Sequence, residues 1–259
     1  MIMQKIYRIK PVNSSPVWAV QDGDFFYPIQ NFSYDPLSDF EILNNAVSGP
    51  FEILAPFEGN QVFGLAYNYK SLVSGAIQSE PLIFLKAPSS VIGPSASIVV
   101  PRSVEKVWIE VELAIIVGKN LKNATIEECT KSIFGYSIGN DVTALNVDSR
   151  DWHLARSKAL DTFCPLGPFI ARNCDLSDVP IRSYINNTLV QSSTTGDRIL
   201  NDAESLSLIS SFIRLKPGDV VLTGTPAGAT DALVKPGDNV TLEVDYLGSL
   251  TNNVVLGEA

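Results

Sequence analysis

Short apolar runs broken by Pro, Gly, Asn and Asp dominate the chain, and few stretches carry a helical period. KIYRI, VWAVQ and FFYPI predict three strands within the first 58 residues, followed by a short helix near LSDFEILNNAV. From Gly59 onward, PLIFLK, SIVVP, IEVELAIIVG, DVVLTG and NVTLEV predict further strands rich in Val, Ile and Leu. Two helices interrupt them. Thr125 and Glu128 form a capping-box signature, with Ile126, Cys129 and Ile133 on one face and Gly135 as the stop. A second helix is predicted from Asp202 to Arg214, with Leu206, Ile209 and Ile213 inward. Lys-Pro-Gly-Asp occurs at 216–219 and again at 235–238, each time before a strand, which predicts two similar turns with Gly at positive φ. Strand and helix do not alternate regularly, so the expected class is mainly β, of α+β type. A small N-terminal β subdomain (1–58) is expected to precede a larger domain (59–259).

Composition narrows the function classes. Nineteen Lys and Arg against 28 Asp and Glu give a net charge of −9, with no basic stretch to neutralise phosphates, so nucleic acid and anionic membranes are poor partners. No apolar run approaches the length of a membrane span, and MIMQKIYRIK lacks the apolar segment of a signal peptide. With Cys129, Cys164 and Cys174 at no metal-like spacing, the expected compartment is the cytoplasm. His153 is the single histidine, so a histidine-rich zinc or iron site is excluded and a metal here needs oxygen ligands.

The chemical anomaly lies in IEVELAIIVGK, residues 109–119. Alternation along a strand puts Glu110 and Glu112 on one side, about 7 Å apart, at the entrance of an apolar segment that belongs in a core. They lie either on a solvated edge or beside something that neutralises them. Asp141, in GNDVTA, follows the next short strand and is placed to approach them. Three carboxylates suit Mg²⁺ or Mn²⁺ and leave positions for a chelating substrate. Two other motifs compete. Gly135-Tyr136-Ser137-Ile138-Gly139 matches the G-x-S-x-G of serine hydrolases, although the predicted helix precedes it where the elbow needs one to follow. Cys164, in DTFCPLGP, is either a nucleophile or a small buried apolar group.

PLIFLKAPSSVIGP (81–94), VWIEVELAIIVGK (107–119), GYSIGNDVTA (135–144), KALDTFCPLGPFI (158–170) and LKPGDVVLTGTPAG (215–228) resemble, in order, successive blocks of the fumarylacetoacetate hydrolase family. The resemblance covers about residues 60–256. It implies a mixed β-sandwich or β-roll core with a few short helices, usually a homodimer, holding Mg²⁺ or Mn²⁺. Activities of the family fall on 2-oxo acids and 1,3-dicarbonyl compounds: C–C hydrolysis, decarboxylation, tautomerisation or isomerisation through a metal-stabilised enolate. Carried over by position, Glu110, Glu112 and Asp141 are the metal ligands and Lys158 is a catalytic or substrate-binding lysine. Thr225, beside Gly224, matches the substrate-contacting threonine, and Arg156 falls among the substrate-binding positions.

The chain also departs from the family pattern. In the block N-Y-x-x-H-x-x-E, here beginning Asn68-Tyr69-Lys70-Ser71, Leu72 stands where His is expected and Gly75 where Glu is expected. After Asp141, S-A-R-D is replaced by Thr143-Ala144-Leu145-Asn146. His153 occupies a position at which the family often has glutamine and is a candidate replacement base. Losing the general base should hurt hydrolysis most, since such assistance is typically worth ~10²–10⁴-fold. The expectation is therefore an enzyme of small 2-oxo acids with non-hydrolytic chemistry preferred, against a family member that binds metal and 2-oxo acid without catalysis.

Overall fold

The structure is a computed structural model that describes residues 3–73, 80–146 and 149–258. In chain order the first strands are β1 (Gln4–Pro11), β2 (Val17–Asp22), β3 (Phe25–Gln30), β4 (Glu41–Ile42), β5 (Phe51–Leu54), β6 (Val62–Ala66), β7 (Leu82–Lys86), β8 (Val91–Ile92), β9 (Ser97–Val100), β10 (Val107–Trp108) and β11 (Val111–Val117). Then come α1 (Ile126–Thr130), β12 (Ile133–Asn140), β13 (Thr143–Ala144), α2 (Ala155–Lys158), β14 (Cys164–Arg172), β15 (Pro180–Ile185) and β16 (Thr188–Thr194). The chain closes with α3 (Asp202–Phe212), β17 (Val220–Leu222), β18 (Leu233–Val234), β19 (Asn239–Val244) and β20 (Gly248–Leu256). The architecture is mainly β, as the sequence predicts.

A large sheet runs in the order β4-β3-β2-β1-β14-β12-β11-β17-β6-β7, with β5 and β8 attached to β1 and β14. A five-stranded sheet, β16-β15-β19-β20-β9, packs against it, and β13-β10-β18 forms a small third sheet. The N-terminal strands join the large sheet where β1 pairs antiparallel with β14, Ile6 opposite Ile170.

All seven residues of β11 are buried, which explains why VELAIIV is nearly continuous in apolar character: the strand is covered on both sides. Val111 and Leu113 enter a core with Ile138, Ile181, Leu242 and Val254 between the two main sheets. Ala114 and Ile116 join Trp18, Phe134 and Ile170, while Ile115 and Val117 lie under α3 with Leu206 and Ile209. At α3 an Asn201–Glu204 capping box starts the helix, close to its predicted beginning, and Ile213 caps its end. The two Lys-Pro-Gly-Asp turns share one construction. Asp219 and Asp238 accept from the backbone N–H of Lys216 and Lys235, and Gly218 and Gly237 both have positive φ.

Two local expectations are corrected. The Thr125–Glu128 capping box is present, but α1 ends at Thr130 and Ile133 opens β12, paired with Val117. Gly135 lies inside that strand, where a Cβ would sit 2.5 Å from the Ala171 carbonyl oxygen, so it permits a close strand approach and does not stop a helix. Near LSDFEILNNAV there is no helix: Glu41–Ile42 pairs with β3. Phe40 there stacks with Phe32 and meets Phe134 edge-on, tertiary contacts that outweigh the weak local helical pattern.

Candidate active site

The start of β11 and the end of β12 bring the three carboxylates together. Val111 pairs with Asn140, and Asp141 N–H donates to the Glu110 carbonyl at 3.0 Å, so the residue after β12 faces the residue before β11. One oxygen from each of Glu110, Glu112 and Asp141 lies within 4.8 Å of the others, and all three side chains are buried. The solvated-edge reading of the E-x-E pair is therefore excluded.

Two lysines reach this cluster. Lys158, the last residue of α2, donates to both Glu110 carboxylate oxygens at 3.1 Å and to Asp141 Oδ2. Lys86, the last residue of β7, donates to Asp141 Oδ1 and to the Val142 carbonyl at 3.3 Å. Glu110 Oε1 also accepts from Trp108 Nε1 at 2.7 Å and Thr143 Oγ1 at 2.9 Å. Glu112 is held differently, by the backbone N–H of Gly224 at 2.6 Å, and no Lys or Arg nitrogen lies within 4.0 Å of it among the described residues. Gly224 has φ of +95° and a Cβ there would lie 2.9 Å from Asn68 Cβ, so this donor position demands glycine. The buried Asn68 amide fastens that loop by donating to the Thr223 carbonyl at 2.8 Å.

The electrostatics are uneven. Burial works against the charge of Asp141, but Lys158 and Lys86 outweigh it and hold its carboxyl below the ordinary range. Burial raises Glu110 despite Lys158, and raises Glu112 well above the ordinary range, with Asp141 and Glu110 adding to the effect. Lys158 is kept protonated: burial opposes its charge, and Asp141 and Glu110 overcome it. Counted as ionised, three carboxylates face two ammonium groups, and burial beside Asp141 and Glu110 disfavours the third negative charge, at Glu112, unless a further cation joins the cluster. Buried oxygen donors of this kind suit a hard divalent cation, and Glu110, Glu112 and Asp141 are the residues that could hold one.

The cluster meets, through Glu110 and Lys158, a cavity of about 300 Å³ with mostly apolar walls, lined also by Thr225, Trp108 and Leu72, while Glu112 and Asp141 lie behind that wall. Thr225 Oγ1 accepts from Gln191 Nε2 at 2.9 Å. Gln191 is itself locked, donating also to Pro226 O and accepting from Val111 N–H and Ser183 Oγ. Glu110, Glu112, Asp141, Lys158, Gly224 and Thr225 thus converge. Arg156 lines an adjoining cavity that shares Ala144 and Asn146 with this one. His153 is exposed before α2 and is not among the residues lining the cavity. Gly75 lies outside the described residues.

Sequence reading missed Lys86, Trp108 and Gln191. A lysine closing the apolar run PLIFLK was a usable signal, since a charge at the end of a buried strand needs a partner. The competing motifs do not survive. Ser137 lies inside β12, fully buried, and β12 is not a strand-to-helix elbow. Cys164 is fully buried and its thiol is pushed up to about 12 by that burial, which makes it inert.

The description "Fumarylacetoacetate (FAA) hydrolase C-terminal" matches residues 61–255. The chain belongs to the fumarylacetoacetate hydrolase family of enzymes. Protein Rv2993c of Mycobacterium tuberculosis is 35% identical over 209 residues, 78% of each chain. Oxaloacetate tautomerase fahd2, mitochondrial, of Xenopus laevis is 38% identical over 194 residues, 69% of this chain and 59% of that protein. The crystal structure of 5-carboxymethyl-2-hydroxymuconate delta-isomerase from Mycobacterium smegmatis superposes with a TM-score of 0.88 at 32% identity, covering 98% of this chain and 100% of that one. No helix among the described residues is long and apolar enough to cross a membrane.

Proposed function

We propose that this chain is a Mg²⁺- or Mn²⁺-dependent enzyme acting on a small 2-oxo acid or 1,3-dicarbonyl compound by tautomerisation, isomerisation or decarboxylation in preference to C–C hydrolysis. The observation that carries the reading is the buried Glu110, Glu112 and Asp141 cluster with its two lysines, which reaches a cavity of small-molecule size through Glu110 and Lys158. Held there, a divalent cation supplies Lewis acidity toward carboxylate and keto oxygens.

The chain's own groups have separable tasks. Lys158 stays charged between Glu110 and Asp141, so it stabilises negative charge developing on a substrate oxygen and does not serve as a neutral base. Thr225 Oγ1 already accepts from Gln191, which leaves its own proton to donate to the substrate. Trp108 and Thr143 fix Glu110, and Gly224 fixes Glu112, so the carboxylates are oriented before ligand arrives. Leu72 lines the cavity at the position of the family histidine, and no histidine lines it among the described residues. Water activation has no evident base there, which weighs against hydrolysis. Relatives named as tautomerase and isomerase support the same preference.

A panel of oxaloacetate, acetylpyruvate and fumarylpyruvate, assayed with Mg²⁺, Mn²⁺ or EDTA and with Glu110→Ala as control, tests the reading. Metal-dependent enol–keto conversion or decarboxylation faster than hydrolysis is expected. If no compound turns over while oxalate or pyruvate still binds, the chain is a 2-oxo-acid-binding protein without catalysis.

A further inference from the structure

Two large side chains on the cavity wall sit on backbone that normally favours glycine. Tyr67 has φ of +63° and Leu154 has φ of +58°, and both line the cavity. Bulky residues in the left-handed region carry strain that the surrounding structure must sustain, and such positions concentrate at binding sites. Tyr67 is 47% exposed and Leu82, also on the wall, is 48% exposed, so apolar surface is presented to solvent at the mouth. Leu72 and Trp108 continue the apolar wall inward.

The polar side chains of the wall are mostly committed elsewhere. Asn146 and Ser157 are bonded to Asp151, and Thr143 to Glu110. Lys158 is the one cation lining the cavity among the described residues, and it is held by Glu110 and Asp141. A second substrate carboxylate, placed away from the carboxylate cluster, would be desolvated against leucine and tryptophan without a counter-charge.

Resting on the 2-oxo-acid reading of this site, we propose that it favours monocarboxylic 2-oxo acids whose distal end is an uncharged apolar group over dicarboxylates of the same length. Leu72 is then a specificity-determining residue: it supplies apolar wall where the family pattern has an ionisable one. Leu72 and Trp108, less exposed than Tyr67 and Leu82 at the mouth, receive the distal end of the substrate.

A matched pair, 2-oxohexanoate and 2-oxoadipate, tests this by calorimetric titration of the full chain with Mn²⁺ present. Each has six carbons and they differ in the distal carboxylate. The monoacid is expected to bind at least tenfold more tightly. Leu82→Lys, at an exposed position that tolerates charge, and Leu72→Arg should each narrow or reverse that ratio, with an unchanged thermal melting profile confirming the fold. Equal or tighter binding of 2-oxoadipate overturns the proposal, and loss of that binding in Arg156→Ala would assign dicarboxylate recognition to the adjoining cavity. If neither acid binds to the wild type, the 2-oxo-acid reading itself fails and the selectivity falls with it.

Discussion

Among the described residues, a largely buried ion pair and the buried carboxylate cluster are built in opposite ways. Arg198 and Asp202 form a pair that is complete in itself. The guanidinium donates to Asp202 Oδ1 at 2.6 Å and to the Thr195 carbonyl at 2.7 Å, and Tyr136 OH donates to Asp202 Oδ2 at 2.8 Å. Asp202 is also the first residue of α3, where the helix N-terminus favours a negative charge. One cation meets one anion, both with hydrogen-bond partners. At Glu110, Glu112 and Asp141 the account stays open, because Lys86 and Lys158 both converge on Asp141 and leave Glu112 with a backbone donor. A closed pair needs nothing further and is structural. An open cluster in a buried position marks a place for a ligand of opposite charge.

Substitutions should separate the two kinds of cluster. The largest effect is expected for Asp141→Ala, which leaves two buried ammonium groups without their shared acceptor. Activity should disappear and stability fall by about 3–5 kcal/mol in urea unfolding. Asp202→Ala removes the partner of Arg198 and should cost about 1.5–3 kcal/mol, while Mn²⁺ affinity stays within about twofold. Loss of Mn²⁺ binding in the second variant would erase the distinction.

Glu112→Gln should weaken Mn²⁺ binding by at least about 100-fold, yet leave the cation-free protein as stable as the wild type or more so. The sign follows from linkage. A carboxyl raised in the folded state stabilises fully below its unfolded range, and that contribution is lost as pH rises through the folded value. In EDTA the wild-type melting temperature should therefore fall as pH rises out of the ordinary carboxylate range, and Glu112→Gln should flatten the fall. Asp141 has the opposite sign: its contribution is present above its unfolded range and lost as pH falls through the lowered folded value.

Gln191 is a polar group held outside both clusters. Gln191→Leu leaves Val111 N–H and Ser183 without an acceptor and frees the Thr225 hydroxyl, so a loss of about 1–3 kcal/mol and a raised KM are expected. The smallest effect belongs to His153→Gln. An exposed side chain outside the cavity lining should alter turnover by less than about twofold, and a larger loss would restore it as the replacement base.

The carboxylate cluster was legible because its signal is local. Glu110 and Glu112 are two residues apart on a strand, and Asp141 follows the strand that pairs with it. Lys86 reaches the same point from β7, beyond β6 and β17 in the sheet, and Gln191 bonds to a backbone 80 residues away. No local period encodes such approaches. Sheet strands were readable from Val, Ile and Leu runs, and α3 from the spacing of Leu206, Ile209 and Ile213, with its Asn201–Glu204 capping box unread. The false helix near residues 37–47 and the extension of α1 to Ile133 show long-range pairing and aromatic packing overriding weak local patterns. Arg156 and His153 lie beside Lys158 in sequence, but neither lines the cavity that Lys158 lines.

The open cluster is expected to bind one divalent cation. Titration of metal-stripped protein with Mn²⁺, followed by calorimetry and thermal melting, measures it directly. One ion per chain is expected, with stabilisation of about 2.7 kcal/mol at a free concentration 100-fold above Kd, and with both signals abolished in Glu112→Gln but retained in Asp202→Ala. No saturable binding and a melting temperature indifferent to Mn²⁺ and EDTA would contradict the account.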